Sequence, residues 1–388
     1  MLFTFYKKEA ETNVNFTDLL DQFYKGTMPL YHPEEIKSYK KTITVTLPAP
    51  ITDEAANEKY HVDKMVEALK EFEVAIDLLN NIPRKDLYRF FTIPKRSGGL
   101  RQIATPCPEL MATLRDLKNV FEYKIKCLPH NAAFAYIKER NCKHALEVHQ
   151  RNKSRWFLKL DIHDFFGSVT VHNMMTEFGK IFPLQTIMER VPELFVKILD
   201  ICTLPNEQGQ CVLPQGTPMS PLLTNLYMIG FDHTIQNTLR DYNHQQFVYT
   251  RYADDLLISS QYDFDYKELT AYIASVLQLY HLQLNPDKTR YGSNAGRNWN
   301  LGMMLNKDNQ ITIGHQQKER LKAMLHNFLR DFTLGKPWSI IDTQVLVGQV
   351  SYYRNIEPTY VRELIKKYDE KLNTDFKQCV KKILRPKT

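Results

Sequence analysis

The stretch Tyr249-Thr250-Arg251-Tyr252-Ala253-Asp254-Asp255-Leu256-Leu257-Ile258 sets two adjacent carboxylates between two apolar and aromatic runs. Phe247–Tyr252 and Leu256–Ser260 read as strands, and Ala253-Asp254-Asp255 reads as the acidic turn of a hairpin. Alone, such a pair is a solvated turn, because Asp is a common turn residue. A third acid lies upstream. Asp161 closes the buried-type strand Trp156–Ile162, and burying all these strands brings the three acids to one edge of a sheet. Crowded carboxylates repel and need a cation or a proton to coexist. Hard divalent cations such as Mg²⁺ take oxygen ligands and keep open positions for phosphate. Two such ions can activate an attacking hydroxyl and stabilise the leaving oxygen of an in-line phosphoryl displacement.

Composition narrows the classes. The chain has 388 residues, 51 Lys+Arg against 44 Asp+Glu, a formal charge of +7 and 43% hydrophobic residues. It can bury a core, so general disorder is excluded, and one lobed domain or two to three smaller ones are expected. The mild basic balance permits an acidic partner. The start MLFTFYKKEAETN lacks the pattern of a secretory signal, and no run nears the length that spans a bilayer. The six cysteines form no CxxC pair and no zinc spacing, so reduced thiols and a cytoplasmic location are expected.

Working outward, Phe16–Tyr24 reads as a short helix and Lys41–Leu47 as a strand. Tyr60–Asn80 reads as one long amphipathic helix, with Val74, Ile76, Leu78 and Leu79 among its apolar positions. Phe90–Pro94 and Leu100–Ala104 form a hairpin around the basic turn Lys95–Gly99. Helices are expected at Glu109–Leu128, Met188–Cys202 and Pro218–Arg240, the last opened by Ser220-Pro221 as N-cap and first helical residue. Trp299–Leu305 and Gln310–Ile313 read as a further hairpin. The remainder is helical, with Leu321, Met324, Leu325, Phe328, Leu329 and Phe332 on one stripe.

Six segments, in order, carry a resemblance. Ile93–Ile103 resembles the fingers hairpin of bacterial reverse transcriptases. Leu158-Lys159-Leu160-Asp161-Ile162-His163-Asp164-Phe165-Phe166 resembles their first palm motif, and Pro214–Pro221 their Q-G-x-P-x-S-P motif. Tyr252-Ala253-Asp254-Asp255 resembles the Y-x-D-D hairpin, Leu284–Thr289 the fourth motif, and Asn300-Leu301-Gly302-Met303 the primer grip. The resemblance implies an α+β, right-hand polymerase fold with fingers, an antiparallel palm and an α-helical thumb. It divides the chain into an N-terminal extension at 1–75, fingers at 76–155, palm with an interleaved fingers segment and primer-grip hairpin at 156–313, and thumb at 314–388. The implied reaction is RNA-directed DNA synthesis, adding dNTPs to a primer by two-metal phosphoryl transfer. Two Mg²⁺ ions are implied, with Mn²⁺ as a substitute.

Asp161, Asp254 and Asp255 are the catalytic candidates, and with Ile162 the metal-site candidates. Lys95 and Arg101 suit a triphosphate, as a point charge and a forked donor. Gln215 and Gly216 offer an amide and open backbone ahead of a helix start. Lys288 can supply charge or a proton to pyrophosphate. Phe166 is expected under the nucleotide sugar and Phe165 in the core, on opposite sides if the strand continues. His163 and Asp164 are expected to be exposed rather than ligands. Leu301, Gly302 and Met303 are the primer-grip candidates. Leu346–Tyr353 and Asn355–Pro358 resemble the thumb of bacterial members.

Within the family, the chain resembles compact retron-type or unclassified, defence-associated bacterial enzymes. Lys143-His144-Ala145-Leu146-Glu147-Val148-His149 is similar to a retron K-H-A-x-x-x-H segment, and Asn300-Leu301-Gly302 stands nearest to V-T-G. No RNase H-like acidic set or Cys/His endonuclease cluster is visible. The implied partner is an RNA template, read as a structured non-coding RNA, with a DNA product and an anti-phage role. A group II intron-like maturase, a non-catalytic RNA-binding scaffold and an RNA-dependent RNA polymerase are the competing readings. Retention of all three acids opposes the scaffold, and Phe166 opposes the RNA polymerase.

Overall fold

A computed structural model describes residues 52–94, 98–241, 246–296 and 301–384. The expected helix at Phe16–Tyr24, the expected strand at Lys41–Leu47, and Lys95, Trp299 and Asn300 lie outside the described residues.

Helices α1 (Thr52–Lys70), α2 (Glu73–Asn80) and the single turn α3 (Arg84–Leu87) lead into a ribbon of β1 (Tyr88–Pro94) and β2 (Leu100–Pro106). Helix α4 (Pro108–Asn119) follows and widens into a π-helical turn at Val120–Ile125. Next come α5 (Cys142–Arg151), β3 (Trp156–Asp161), α6 (Val171–Phe178), α7 (Leu184–Arg190) and α8 (Pro192–Ile201). A small ribbon of β4 (Leu204–Pro205) and β5 (Cys211–Val212) precedes α9 (Met219–Tyr227) and α10 (Ile229–Asp241). The hairpin β6 (Val248–Tyr252) and β7 (Asp255–Ser260) is followed by α11 (Tyr266–Leu279), β8 (Arg290–Ser293), β9 (Met304–Leu305) and β10 (Ile311–Thr312). The described chain closes with α12 (Gly314–Thr333), α13 (Ile340–Ile356), α14 (Pro358–Leu372) and α15 (Phe376–Leu384). Helices with antiparallel sheet bear out the α+β class.

Three helices expected as continuous are interrupted. The Tyr60–Asn80 helix breaks after Lys70, so α2 turns Ile76 and Leu79 inward while Val74 and Leu78 are 73% and 65% exposed. Pro192 splits Met188–Cys202, because a ring at the first position of α8 cannot continue the hydrogen bonds of α7. Pro218–Arg240 breaks at Met228, the C-cap of α9 with φ −83° and ψ 0°. The start of α9 is also different: Thr217 Oγ1, not Ser220, accepts a backbone hydrogen bond, from Ser220 N–H at 3.2 Å. Asp255 is the first residue of β7, so the acidic turn narrows to Ala253-Asp254, with Ala253 at φ +58°.

The chain forms two compact units. Among the described residues, one comprises 52–94, 98–137, Ile162–Asn237 and Ala271–Leu284. Its described core includes Leu69, Ile76, Leu114, Phe121, Phe195 and Ile198, all fully buried. The rings of Phe178 and Phe195 meet edge-on with centroids 6.4 Å apart.

The other comprises, among the described residues, Lys138–Asp161, 238–241, 246–270, 285–296 and 301–384. It holds a four-stranded antiparallel sheet in the order β6-β7-β3-β8. One apolar core runs from Phe157 and Leu257 of the sheet, through Met303 and Leu305, to Leu325, Phe328, Leu346 and Phe376 of the C-terminal helices. The helical stripe expected at Leu321–Phe332 therefore faces this core. Glu357 fastens the entry to α12: its carboxylate accepts from Ile313 N–H at 2.9 Å, Thr312 Oγ1 at 3.0 Å and Lys318 Nζ at 2.7 Å. A carboxylate suits a helix N-terminus, where backbone N–H groups lack intrahelical partners.

Helix α5 carries His149 into the base of the β6–β7 hairpin, where it is fully buried. Its Nε2 lies 2.8 Å from Thr250 Oγ1 on β6, its Nδ1 2.5 Å from Ser259 Oγ on β7, and Ser259 donates to Ser154 at 2.7 Å. A neutral ring, accepting at Nε2 and donating at Nδ1, completes this chain. Burial lowers its pKa from 6.5 to about 3. The unfolded chain then binds the proton first, so His149's contribution is complete above pH 6.5 and is lost as pH falls toward 3. In urea unfolding, wild type should lose up to about 1.4 kcal/mol per pH unit across this window relative to His149→Gln. Parallel stability curves for the two proteins would contradict this.

Candidate active site

Strand β3 brings Asp161 to the edge of the sheet, and its register partner across the antiparallel ladder is Asp255. Asp254 occupies the turn immediately before it. Like charges directly opposed in a ladder repel. Two ammonium groups answer that repulsion. Lys288 Nζ lies 2.9 Å from both oxygens of Asp161, and Lys159 Nζ lies 2.9 Å from Asp255 Oδ1. Lys288 is placed by a short 3₁₀ turn at Pro286–Lys288, which is anchored where Asn285 N–H donates to the Asp161 carbonyl at 2.7 Å. Hydrogen bonding to Asp161 holds the Lys288 ammonium above its ordinary pKa. Burial, reinforced by the neighbouring Asp255 carboxylate, pushes Asp254 above the usual carboxylate range.

The donors here are hard oxygens, and three acids face two ammonium groups, so the chemistry fits a divalent cation. Among the described residues no three His, Cys, Asp or Glu side chains stand at metal-holding spacing. Beneath the turn, Arg251 is fully buried and its Nη1 lies 3.4 Å from the Ala253 carbonyl.

In the other unit, the base of the β1–β2 ribbon is sewn to the loop before α9. Ala104 N–H donates to the Gln215 carbonyl at 2.8 Å. Gly216 has φ +117°, and a Cβ there would meet the Ala104 carbonyl oxygen at 2.7 Å and Ile103 Cγ2 at 2.8 Å. Glycine is therefore required for both its conformation and its close approach. Gln215 also lines an open cleft with Phe90, Gln102, His163 and Asp164. Arg101 is exposed on β2 opposite Ile93. His163 and Asp164 are exposed, as expected.

Phe165 is buried, and Phe166 is half-buried with its ring centroid 6.5 Å from that of Tyr136. Both phenylalanines lie within a turn, so strand alternation does not set their different burial, because β3 ends at Asp161. Ile162 is buried and bridges to Leu284. Leu301 and Gly302 have φ of +55° and +79°, and Met303 is fully buried.

Sequence reading passed over Lys159, Arg251 and His149 as site residues. The available signal for Lys159 was its position two residues before Asp161, hence on the same face of the strand. For Arg251 it was a charge within an otherwise apolar hairpin strand.

The sequence model of the family described as reverse transcriptase (RNA-dependent DNA polymerase) matches residues 93–323. The chain belongs to the reverse transcriptase family. It is 28% identical over 308 residues to the retron Ec83 reverse transcriptase of Escherichia coli, covering 78% of this chain and 93% of that one. It is 29% identical over 290 residues to the retron Mx65 reverse transcriptase of Myxococcus xanthus, covering 72% of this chain and 64% of that one. With the retron Ec73 reverse transcriptase of Escherichia coli it shares 26% identity over 289 residues, covering 72% and 86%. These relatives identify a reverse transcriptase of the bacterial retron type, with the right-hand polymerase fold and RNA-directed DNA polymerase activity. Reverse transcriptases generally use divalent metal ions. Among the described residues of this reverse transcriptase, no helix is long and apolar enough to cross a membrane.

Gly216→Ala should reduce primer extension by at least about tenfold and lower stability by about 1–3 kcal/mol, since the added methyl meets backbone at a strained φ. Steady-state extension and urea unfolding measure the two effects. Wild-type values for both would show that the ribbon does not depend on this close approach.

Proposed function

We propose that this reverse transcriptase adds dNTPs to a primer on an RNA template at Asp161, Asp254 and Asp255, by phosphoryl transfer assisted by two Mg²⁺ ions, with Mn²⁺ able to substitute. The observation that carries the reading is the cross-strand opposition of Asp161 and Asp255 with Asp254 in the adjoining turn. Asp161 and Asp254 would hold the ions, with Ile162 next after Asp161 in the chain and Asp255 contributing less directly. When bound, the ions supply Lewis-acid stabilisation of the attacking and leaving oxygens.

The remaining roles belong to this chain's own groups. Lys288 is half-exposed on the Asp161 carboxylate, a placement that suits charge or proton donation to departing pyrophosphate. Lys95, Arg101, Gln215 and Gly216 would bind the incoming nucleotide, and Leu301, Gly302 and Met303 would grip the primer. Phe166 would pack under the sugar, where a bulky ring excludes a 2′-hydroxyl by overlap and offers it no hydrogen bond. Its half-buried position, beside a Phe165 committed to the core, supports that division.

The partner we propose is a structured non-coding RNA, held largely through phosphate contacts, in keeping with the net charge of +7. The biological setting we propose is bacterial anti-phage defence. Its support is the resemblance to defence-associated enzymes of this family.

Asp254→Asn should lower metal-dependent dNTP incorporation by at least about 1000-fold while leaving the folded far-UV spectrum unchanged. Asp255→Asn should lose less. Wild-type incorporation by the Asp254 variant would overturn the assignment.

Phe166→Val should admit ribonucleotides at least about tenfold more readily, corresponding to about 1.4 kcal/mol. Competition between matched dNTP and rNTP reads this directly, and unchanged discrimination would remove Phe166 from the role.

A further inference from the structure

We infer that Lys159 is a positioning residue for the catalytic acids: it binds Asp255 as a fixed counter-ion and thereby leaves Asp254 to share a cation with Asp161. The inference rests on the proposed metal site and explains how two adjacent aspartates come to differ.

Lys159 and Asp161 lie two residues apart on β3 and so project from the same face of the sheet. The register sets Lys159 opposite Leu257 and Asp161 opposite Asp255. Asp255 is therefore the diagonal neighbour of Lys159, a separation that a long side chain can span. It does so, with Nζ 2.9 Å from Asp255 Oδ1 and both side chains 25% exposed.

The two lysines differ in how firmly they are held. Lys288 sits beyond the sheet in a short 3₁₀ turn, and its side chain is 50% exposed. It can leave Asp161 without disturbing a strand. Lys159 is embedded in β3, which pairs with β7 on one side and β8 on the other. Its backbone is locked, and among the described residues its ammonium pairs with Asp255. Asp255 and Asp161 each meet a lysine at 2.9 Å, whereas Asp254 forms no ion pair among the described residues. Of the three acids, Asp254 has the greatest need for an added cation.

The arrangement thus separates a replaceable ammonium, Lys288, from a resident one, Lys159. Removing Lys159 leaves Asp255 unbalanced and free to turn toward Asp161. The site would then attract a divalent ion more strongly but hold it with the wrong carboxylates.

The test uses the full chain without nucleic acid, titrated with Mn²⁺ and read by the electron paramagnetic resonance of the free ion. Primer extension at varied metal concentration is measured in parallel. Lys159→Met should bind Mn²⁺ about tenfold more tightly while kcat falls about tenfold or more, two changes of opposite sense. Lys159→Arg should keep Mn²⁺ affinity within about threefold of wild type, because it keeps the charge. In the Asp255→Asn background, Lys159→Met should add little, since the partner is already gone.

A merely structural lysine would give weaker metal binding together with weaker activity, and that result, or unchanged Mn²⁺ affinity, would overturn the inference. Additive effects in the double variant would do the same. Should Lys159→Met fail to fold, Lys159→Gln carries the same comparison. If Asp254→Asn polymerises like wild type, the metal-site reading itself has failed. If Asp254→Asn is inactive and loses Mn²⁺ while Lys159→Met matches wild type, only the role of Lys159 is lost.

Discussion

Like charges set directly across an antiparallel ladder repel, and the four-stranded sheet sets Asp161 against Asp255. The cost is accepted only where opposite charge is at hand. Two lysines, one from β3 itself and one from the turn after Asn285, supply it. The same concentration of negative charge makes the edge of this sheet receptive to divalent cations. Much of the surrounding structure can be understood as fixing the strands that force these acids together.

That fixing is done in three ways. Apolar side chains on β3 and β7 are buried, with Leu158, Leu160, Leu256 and Ile258 wholly excluded from solvent. A one-residue slip would exchange the two faces and carry the acids to the opposite one. His149 reaches from α5 to both strands of the acidic hairpin, four residues before Asp254 and four after Asp255. The apolar core then continues without interruption from Phe157 and Leu257 into the C-terminal helices. Loosening those helices would be felt by the sheet, because close-packed interiors transmit displacement.

The nucleotide-binding candidates are organised by backbone rather than by charge. The ribbon of β1 and β2 presents exposed Phe90, Phe91, Ile93 and Leu100 along much of its length, and so has little core of its own there. Its seat is the contact of Ala104 with Gln215 and Gly216, where only the absence of a side chain allows the approach. A hydrogen bond and a glycine thus orient the element that bears Arg101.

The sequence by itself determined the strands around Asp161 and Asp254, the family, the α+β class and the helical stripe from Leu321 to Phe332. Those features are local: they rest on alternation, on turn residues and on short motifs whose spacing is visible in one dimension. The helix breaks were partly legible, since Pro192 marks one of them, but nothing in the run from Tyr60 to Asn80 announced the break after Lys70. Only the tertiary structure decided which cation meets which acid. Lys159 and Asp255 are 96 residues apart in the sequence, and their pairing depends on the register of β3 against β7. The same holds for His149 with Thr250 and Ser259, and for Glu357 with Ile313, whose partners come from separate segments. Periodicity shows which face a side chain takes, whereas the identity of its neighbour is fixed when strands and helices from distant parts of the chain pack together.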